Sequence, residues 1–306
     1  MKKPLLRASS LASPKQQHNW DWRAASNFIA GGAGGGLLLW ASVVNASADA
    51  TRMAILLGLI LIGSGLTCVW FEIGRPWRAL NVYRHFATSW MTREAVVALG
   101  VFAAGGLALL TGAFALSFLA GILGLTFLYS QARILAANKG IPAWRHPRSI
   151  SLMIATGLAE GAGFLVCVLS LSSAAVGFPV LAGLIALIVV RALFWKSYLG
   201  ALVADGAPDA TLKVLSGIAP RLLVVGHILP ALAVVAAMAG MPGGAVLSFA
   251  AGILVVAGGW FLKFTLVRRA AFTQGLALLH LPVRGQGTAG AATKPGWKTV
   301  PGVKAG

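Results

Sequence analysis

From residue 24 to residue 267 the chain is a succession of apolar stretches, each about long enough to cross a lipid bilayer. A hydrocarbon core of about 30 Å needs about 20 helical residues. Eight spans are expected, at roughly 24–45, 51–73, 93–114, 115–135, 150–170, 174–196, 218–240 and 245–267. A tight turn between Thr111 and Ser117 must separate the third span from the fourth. The predicted fold is an all-α integral membrane protein, its eight transmembrane helices forming two four-helix bundles. With 58% hydrophobic and 10% charged residues, an ordinary soluble domain is excluded.

A net charge of +18 would suit a nucleic-acid binder, but its distribution does not. Of the 25 Lys and Arg, Arg52 alone falls on one side of the expected membrane. Lys2, Lys3, Arg7, Lys15 and Arg23 precede the first span. Arg75, Arg78, Arg84 and Arg93 lie between the second and third, and Arg133, Lys139, Arg145 and Arg148 between the fourth and fifth. Arg191, Lys196, Lys213 and Arg221 are assigned to the connection between the sixth and seventh, and Lys263, Arg268 and Arg269 to the end of the eighth. This is the positive-inside pattern, and it places both termini in the cytoplasm.

Residues 1–19 read as a flexible basic arm, 20–267 as the membrane domain, and 268–306 as a basic, disordered tail. Lys2 and Lys3 lead into Pro4 with no apolar core before Trp20, so no signal peptide is expected. Cys68 and Cys167 both fall within spans and support neither a disulfide framework nor a cysteine-bound cluster. Glycines 31, 32, 34, 35 and 36 in the first span suit close helix packing in lipid. No strand precedes them and no Lys follows, so a phosphate loop is not expected. Trp20, Trp22, Trp70, Trp77, Trp90, Trp144, Trp195 and Trp260 gather at the inner span ends, and only Trp40 lies near the outer face. An interfacial belt accounts for most of them; the imbalance suggests that a partner docks on the inner face.

The chain has seven acidic residues, and two of them, Glu72 and Glu94, flank one inner connection. A carboxylate at such a place is costly unless paired or used. Glu72 could simply pair with Arg75, one turn on, before Pro76 ends the helix. Glu94 could simply favour the dipole of a helix capped by Ser89 or Thr92. Together with Arg75, Arg78, His85, Trp90 and Arg93 they make a candidate quinone pocket, in which Glu72 and Glu94 exchange protons with the headgroup. Tyr129, Gln131 and Arg133 could form a second wall. Glu160 lies about 15 Å into the fifth span, either for proton transfer or to bond a neighbouring helix. His227 is the only histidine well inside a span; a bis-histidine haem is therefore not expected, and a hydrogen bond across helices is.

Three motifs, Gly74-Arg75-Pro76-x-Arg78-Ala79, Ser89-Trp90-x-x-Arg93-Glu94 and Ile141-Pro142-Ala143-Trp144, resemble the signatures of molybdopterin oxidoreductase membrane anchors. These are the dimethyl sulfoxide reductase anchor (DmsC) type and the related polysulfide reductase (NrfD) type. The opening Trp20-Asp21-Trp22-Arg23-Ala24-Ala25 is closer to the NrfD branch. The resemblance implies a haem-free, multi-pass protein of the bacterial cytoplasmic membrane. Such an anchor passes electrons between menaquinone or ubiquinone and a four-cluster ferredoxin-like iron-sulfur subunit, which in turn serves a molybdopterin catalytic subunit. The family glutamate of the Ser-Trp motif corresponds to Glu94. The family histidine before the Gly-Arg-Pro motif is replaced by Glu72. Similar anchors serve sulfite dehydrogenation, dimethyl sulfoxide reduction and phenylacetyl-CoA oxidation, and the opening motif is closest to the last. A proton-coupled secondary transporter, with Glu160 and Pro179 near the midplane, and a purely structural anchor remain the alternatives.

Overall fold

The computed structural model describes residues 13–72, 81–83, 85–172 and 176–274 of the chain. Among the described residues, eight long helical runs follow one another. Helix α1 covers residues 22–43 in three pieces: Trp22–Ser26, a π-helical turn Asn27–Gly31, and Gly32–Val43. Then come α2 (Ala48–Glu72), α3 (Trp90–Thr111), α4 (Phe114–Ala136), α5 (Arg148–Leu171) and α6 (Phe178–Ala204). The last two are α7 (Asp209–Met238) and α8 (Gly244–Arg269). Both contain a π-helical turn, Val224–Ile228 in α7 and Thr265–Arg269 in α8. Among the described residues the only extended pairing is an isolated bridge between Gln16 and Phe272.

Seven helices, α2 to α8, are long and apolar enough to cross a membrane. Helix α1 is not among them; its five glycines and Asn27 make it less apolar than the rest. The tight turn expected after Thr111 is built on Gly112, whose φ of 68° is open to glycine at little cost. Pro179 sits in the first turn of α6, where its missing N–H leaves no bond unmade.

Packing groups the helices in two sets of four. Helices α2 and α4 flank α1, with α3 against both. Helices α6 and α8 flank α5, with α7 against α8. The sets meet where α1 and α4 lie on α5. Helix α5 is the most enclosed, with 78% of its apolar window buried against 28–44% in the other six. The glycines of α1 make this contact. A Cβ on Gly34 would lie 2.6 Å from Gly58 O of α2, and one on Gly35 2.5 Å from Gly124 O of α4. A Cβ on Gly36 would collide with Gly157 O of α5. The structural role expected for this run is therefore the one it has, because backbones this close leave no room for a side chain.

The two ends of the described chain meet on one face. Gln17 N donates to Ala271 O over 2.9 Å, and Thr273 N donates to Lys15 O over 2.9 Å. On this terminal face the single-turn helix Pro142–Arg145 wedges Trp144 into the core. Trp144 Nε1 donates to Leu266 O over 2.9 Å and its ring stacks on Trp20 at 4.8 Å. Tyr198 Oη donates to Ala143 O over 2.7 Å. The Ile-Pro-Ala-Trp motif is thus a clamp between α4, α5, α6 and α8.

Candidate functional site

Glu94 lies one turn into α3, just inside the terminal face. Ser89 caps that helix, accepting from Thr92 N over 3.3 Å, and Thr92 Oγ1 donates to Val82 O, so the loop is tied to the helix start. The Glu94 side chain turns inward and is only 6% exposed. Asn27 of the π-helical turn donates from Nδ2 to Glu94 Oε1 over 3.2 Å. Gln131 of α4 donates from Nε2 to Asn27 O over 2.9 Å and also approaches the Glu94 carboxyl. A π-helical turn leaves one carbonyl without its regular helical partner; here Gln131 supplies it. Among the described residues, Asn27 Oδ1 and Gln131 Oε1 are buried with no hydrogen-bond partner. The group can therefore hold a proton on a carboxyl and offers two free acceptors to a donor that enters.

Trp90 stands one turn before Glu94, at the start of α3. Its ring lies between two guanidinium groups, Arg93 at 4.3 Å and Arg133 at 4.6 Å, and meets Tyr129 edge-on at 5.7 Å. Arg93 is held to the loop, donating to Phe86 O over 3.1 Å and to Ala87 O over 2.7 Å. Trp90 and Arg93 thus meet Tyr129 and Arg133, while Gln131, on another face of α4, meets Asn27 and the Glu94 carboxyl. His85 is exposed in the loop. Glu72 is half-buried at the end of α2, facing Arg23 and Asp21 rather than Glu94. The bound Arg23 side chain holds the Asp21 carboxyl below its usual range. Arg75 and Arg78 lie outside the described residues. Among the described residues, cavities of about 500, 470 and 340 Å³ have linings that do not include Glu94.

One family matches more than half of the chain, over residues 28–194, a stretch that contains Glu72, Glu94, Gln131 and Glu160. The chain belongs to the DMSO reductase anchor subunit (DmsC) family. No curated protein sequence matches it. The DmsC match ends before α7 and α8 and begins one residue after Asn27.

Deeper in this DmsC-family anchor lies a second polar group, much of it not foreseen from sequence. Lys263 Nζ donates to Glu160 Oε2 over 2.5 Å, and both side chains are fully buried. Arg191 belongs to neither a loop nor a span end, as the charge pattern had it, but to the middle of α6, fully buried. Its Nη1 donates to Val255 O over 2.8 Å, its Nη2 to Gly226 O, and its Nε to His227 Nε2 over 3.3 Å. Lys263 likewise does not snorkel from the end of α8. His227 makes the cross-helix bond expected of it, and its Nδ1 lies 2.8 Å from Leu222 O. The sequence signal for Asn27 was an amide beside a glycine run in an otherwise apolar segment. For Lys263 it was a lysine about one and a half turns before the basic pair that ends α8.

Proposed function

We propose that this protein is the quinone-reactive membrane anchor of a molybdenum oxidoreductase complex, crossing the bacterial cytoplasmic membrane eight times with the terminal face in the cytoplasm. Family membership supports the anchor role. The near-exclusive placement of Lys and Arg at the terminal face supports the orientation. Helix α1 is the eighth span; enclosed by α2, α4 and α5, it need not face lipid along its length.

The observation that carries the quinone reading is the buried carboxyl of Glu94, flanked by the Asn27 and Gln131 amides. A quinone supplies two-electron, two-proton chemistry. Glu94 holds and releases one of those protons at its carboxyl. The Asn27 and Gln131 amides donate to a carbonyl oxygen through nitrogen and accept from a hydroxyl through the unpartnered Oδ1 and Oε1. Trp90 and Tyr129 shield this polar group from lipid, and Arg93 and Arg133 hold the Trp90 ring. Glu72 and His85 stand at the same connection, to which Arg75 and Arg78 belong in sequence, with Glu72 as the relay between Glu94 and the cytoplasm. The basic terminal face receives the four-cluster iron-sulfur subunit, and the molybdopterin subunit sets the substrate, with phenylacetyl-CoA, sulfite and dimethyl sulfoxide as the candidates.

The test is Glu94→Gln in the assembled complex. Quinone-linked turnover is expected to fall more than tenfold, with turnover through a soluble viologen unchanged. Undiminished quinone-linked turnover would leave the anchor purely structural.

A further inference from the structure

Asn27, Gln131, Lys263 and Glu160 form a buried polar file through the junction of the two helix sets, and the glycines beside it keep it open. A Cβ on Gly32 would lie 2.5 Å from Lys263 Nζ and 3.3 Å from Gln131 Oε1, so the lysine and the Glu94 group meet at one point on α1. A Cβ on Gly31 would lie 2.5 Å from Gln131 Nε2, and one on Gly259 would collide with Glu160 Oε1. Lys263 Nζ has three donors, and the bond to Glu160 Oε2 is the one made among the described residues. Unused acceptors flank it on both sides, Gln131 Oε1 toward Glu94 and Glu160 Oε1 on its own partner. A side chain with four rotatable bonds, spare donors and an unpartnered acceptor on either side can move its ammonium between two stations. A purely structural pair would not need this. Buried ion pairs gain little over apolar packing, and ionisable groups within a membrane are costly.

We propose that the Lys263–Glu160 pair is a second proton-exchange site for the quinone chemistry of the Glu94 group, with Lys263 Nζ moving between Glu160 and Gln131. This rests on the quinone reading above. Reduction of the quinone takes two electrons from the reduced iron-sulfur partner and two protons, and forms two O–H bonds. Glu94 gives one proton from its carboxyl. Lys263 gives the other from Nζ, breaking an N–H bond and leaving a neutral amine beside the Glu160 carboxylate. Glu160 then takes a proton from water and returns it to the amine, restoring the pair. Quinol oxidation runs the same transfers backwards. Arg191 holds a fixed positive charge near Glu160 and Lys263. It opposes a lasting positive charge on Lys263 and favours transfer onward.

Three variants in the assembled complex separate proton exchange from structural pairing: Glu160→Gln, Lys263→Met, and the two combined. Each single change leaves an unpaired buried charge and the double change leaves none. A structural pair therefore predicts that the double variant recovers. Proton exchange predicts that quinone-linked turnover stays at least tenfold low in all three, with viologen-linked turnover unchanged. A double variant within twofold of wild type overturns the proposal. Should a variant fail to assemble, redox-difference infrared spectra of the wild-type and Glu94→Gln complexes decide. A carboxyl signal that responds to quinone reduction and survives Glu94→Gln is expected, and its absence overturns the proposal. Low turnover in Glu94→Gln with normal turnover in the double variant sinks this inference alone. Normal turnover in Glu94→Gln sinks the quinone reading itself.

Discussion

Asn27 Nδ2 donates to Glu94 Oε1 over 3.2 Å, from a π-helical turn in one helix to the first turn of another. The bond joins residues 67 positions apart and fixes a carboxyl that would otherwise lie buried without a donor at that oxygen.

Removing the donor therefore acts on the carboxyl. Asn27→Leu is expected to lower quinone-linked turnover about tenfold, since a hydrogen bond to a charged or buried polar group contributes about 1.5–3 kcal/mol and each 1.4 kcal/mol is about tenfold. Steady-state kinetics of the complex checks this, and a change under twofold would count against a shared Asn27–Glu94 site.

Trp90 is expected to act through its ring rather than its indole N–H. Trp90→Phe should keep most quinone-linked activity, because an aromatic face between Arg93 and Arg133 survives. Trp90→Ala should raise the quinone KM several-fold and release the two guanidinium groups. Equal kinetics in the two variants would contradict this.

The α1–α5 contact is a matter of backbone distance. Gly36→Ala puts a Cβ into Gly157 O and is expected to cost about 1–3 kcal/mol, seen as a fall in Tm of several degrees in detergent. Gly183→Ala, where a Cβ meets nothing within 4 Å, is expected to leave Tm unchanged.

Arg191 bonds two backbone carbonyls and a histidine from two other helices. Arg191→Leu is expected to destabilise the α6–α7–α8 packing by about 3 kcal/mol or more, since two buried carbonyls lose their donor. Arg191→Lys should recover less than half of that, because a lysine lacks the planar fork that reaches three acceptors. Thermal unfolding of the purified protein measures both.

Much of the fold was legible because a bilayer imposes one length on every crossing. The expected ends of α2 to α5 and of α8 lie within three residues of those observed. Helices α6 and α7 run further toward the terminal face, to Ala204 and from Asp209, because charged and polar residues there continue the helix into the interface. The Ser-Trp motif pointed to Glu94, Trp90 and Arg93; Arg93 lies over the Trp90 ring, and Glu94 turns inward to Asn27. Glu72 was set beside them by its place in the chain; among the described residues the charges acting on it are Asp21 and Arg23.

The sequence by itself determined that the chain is helical, apolar and basic at one face, since these follow from composition and from the spacing of charges along single helices. Which polar residues face inward was decided only by the tertiary structure. Counting basic residues treats each Lys or Arg near a span end as solvated, so Lys263 and Arg191 passed as interfacial charges. Their partners, Glu160 at 103 residues' distance and His227 at 36, sit on other helices. A buried charge is tolerable only where such a partner is packed against it, and that packing exists only once the helices have assembled.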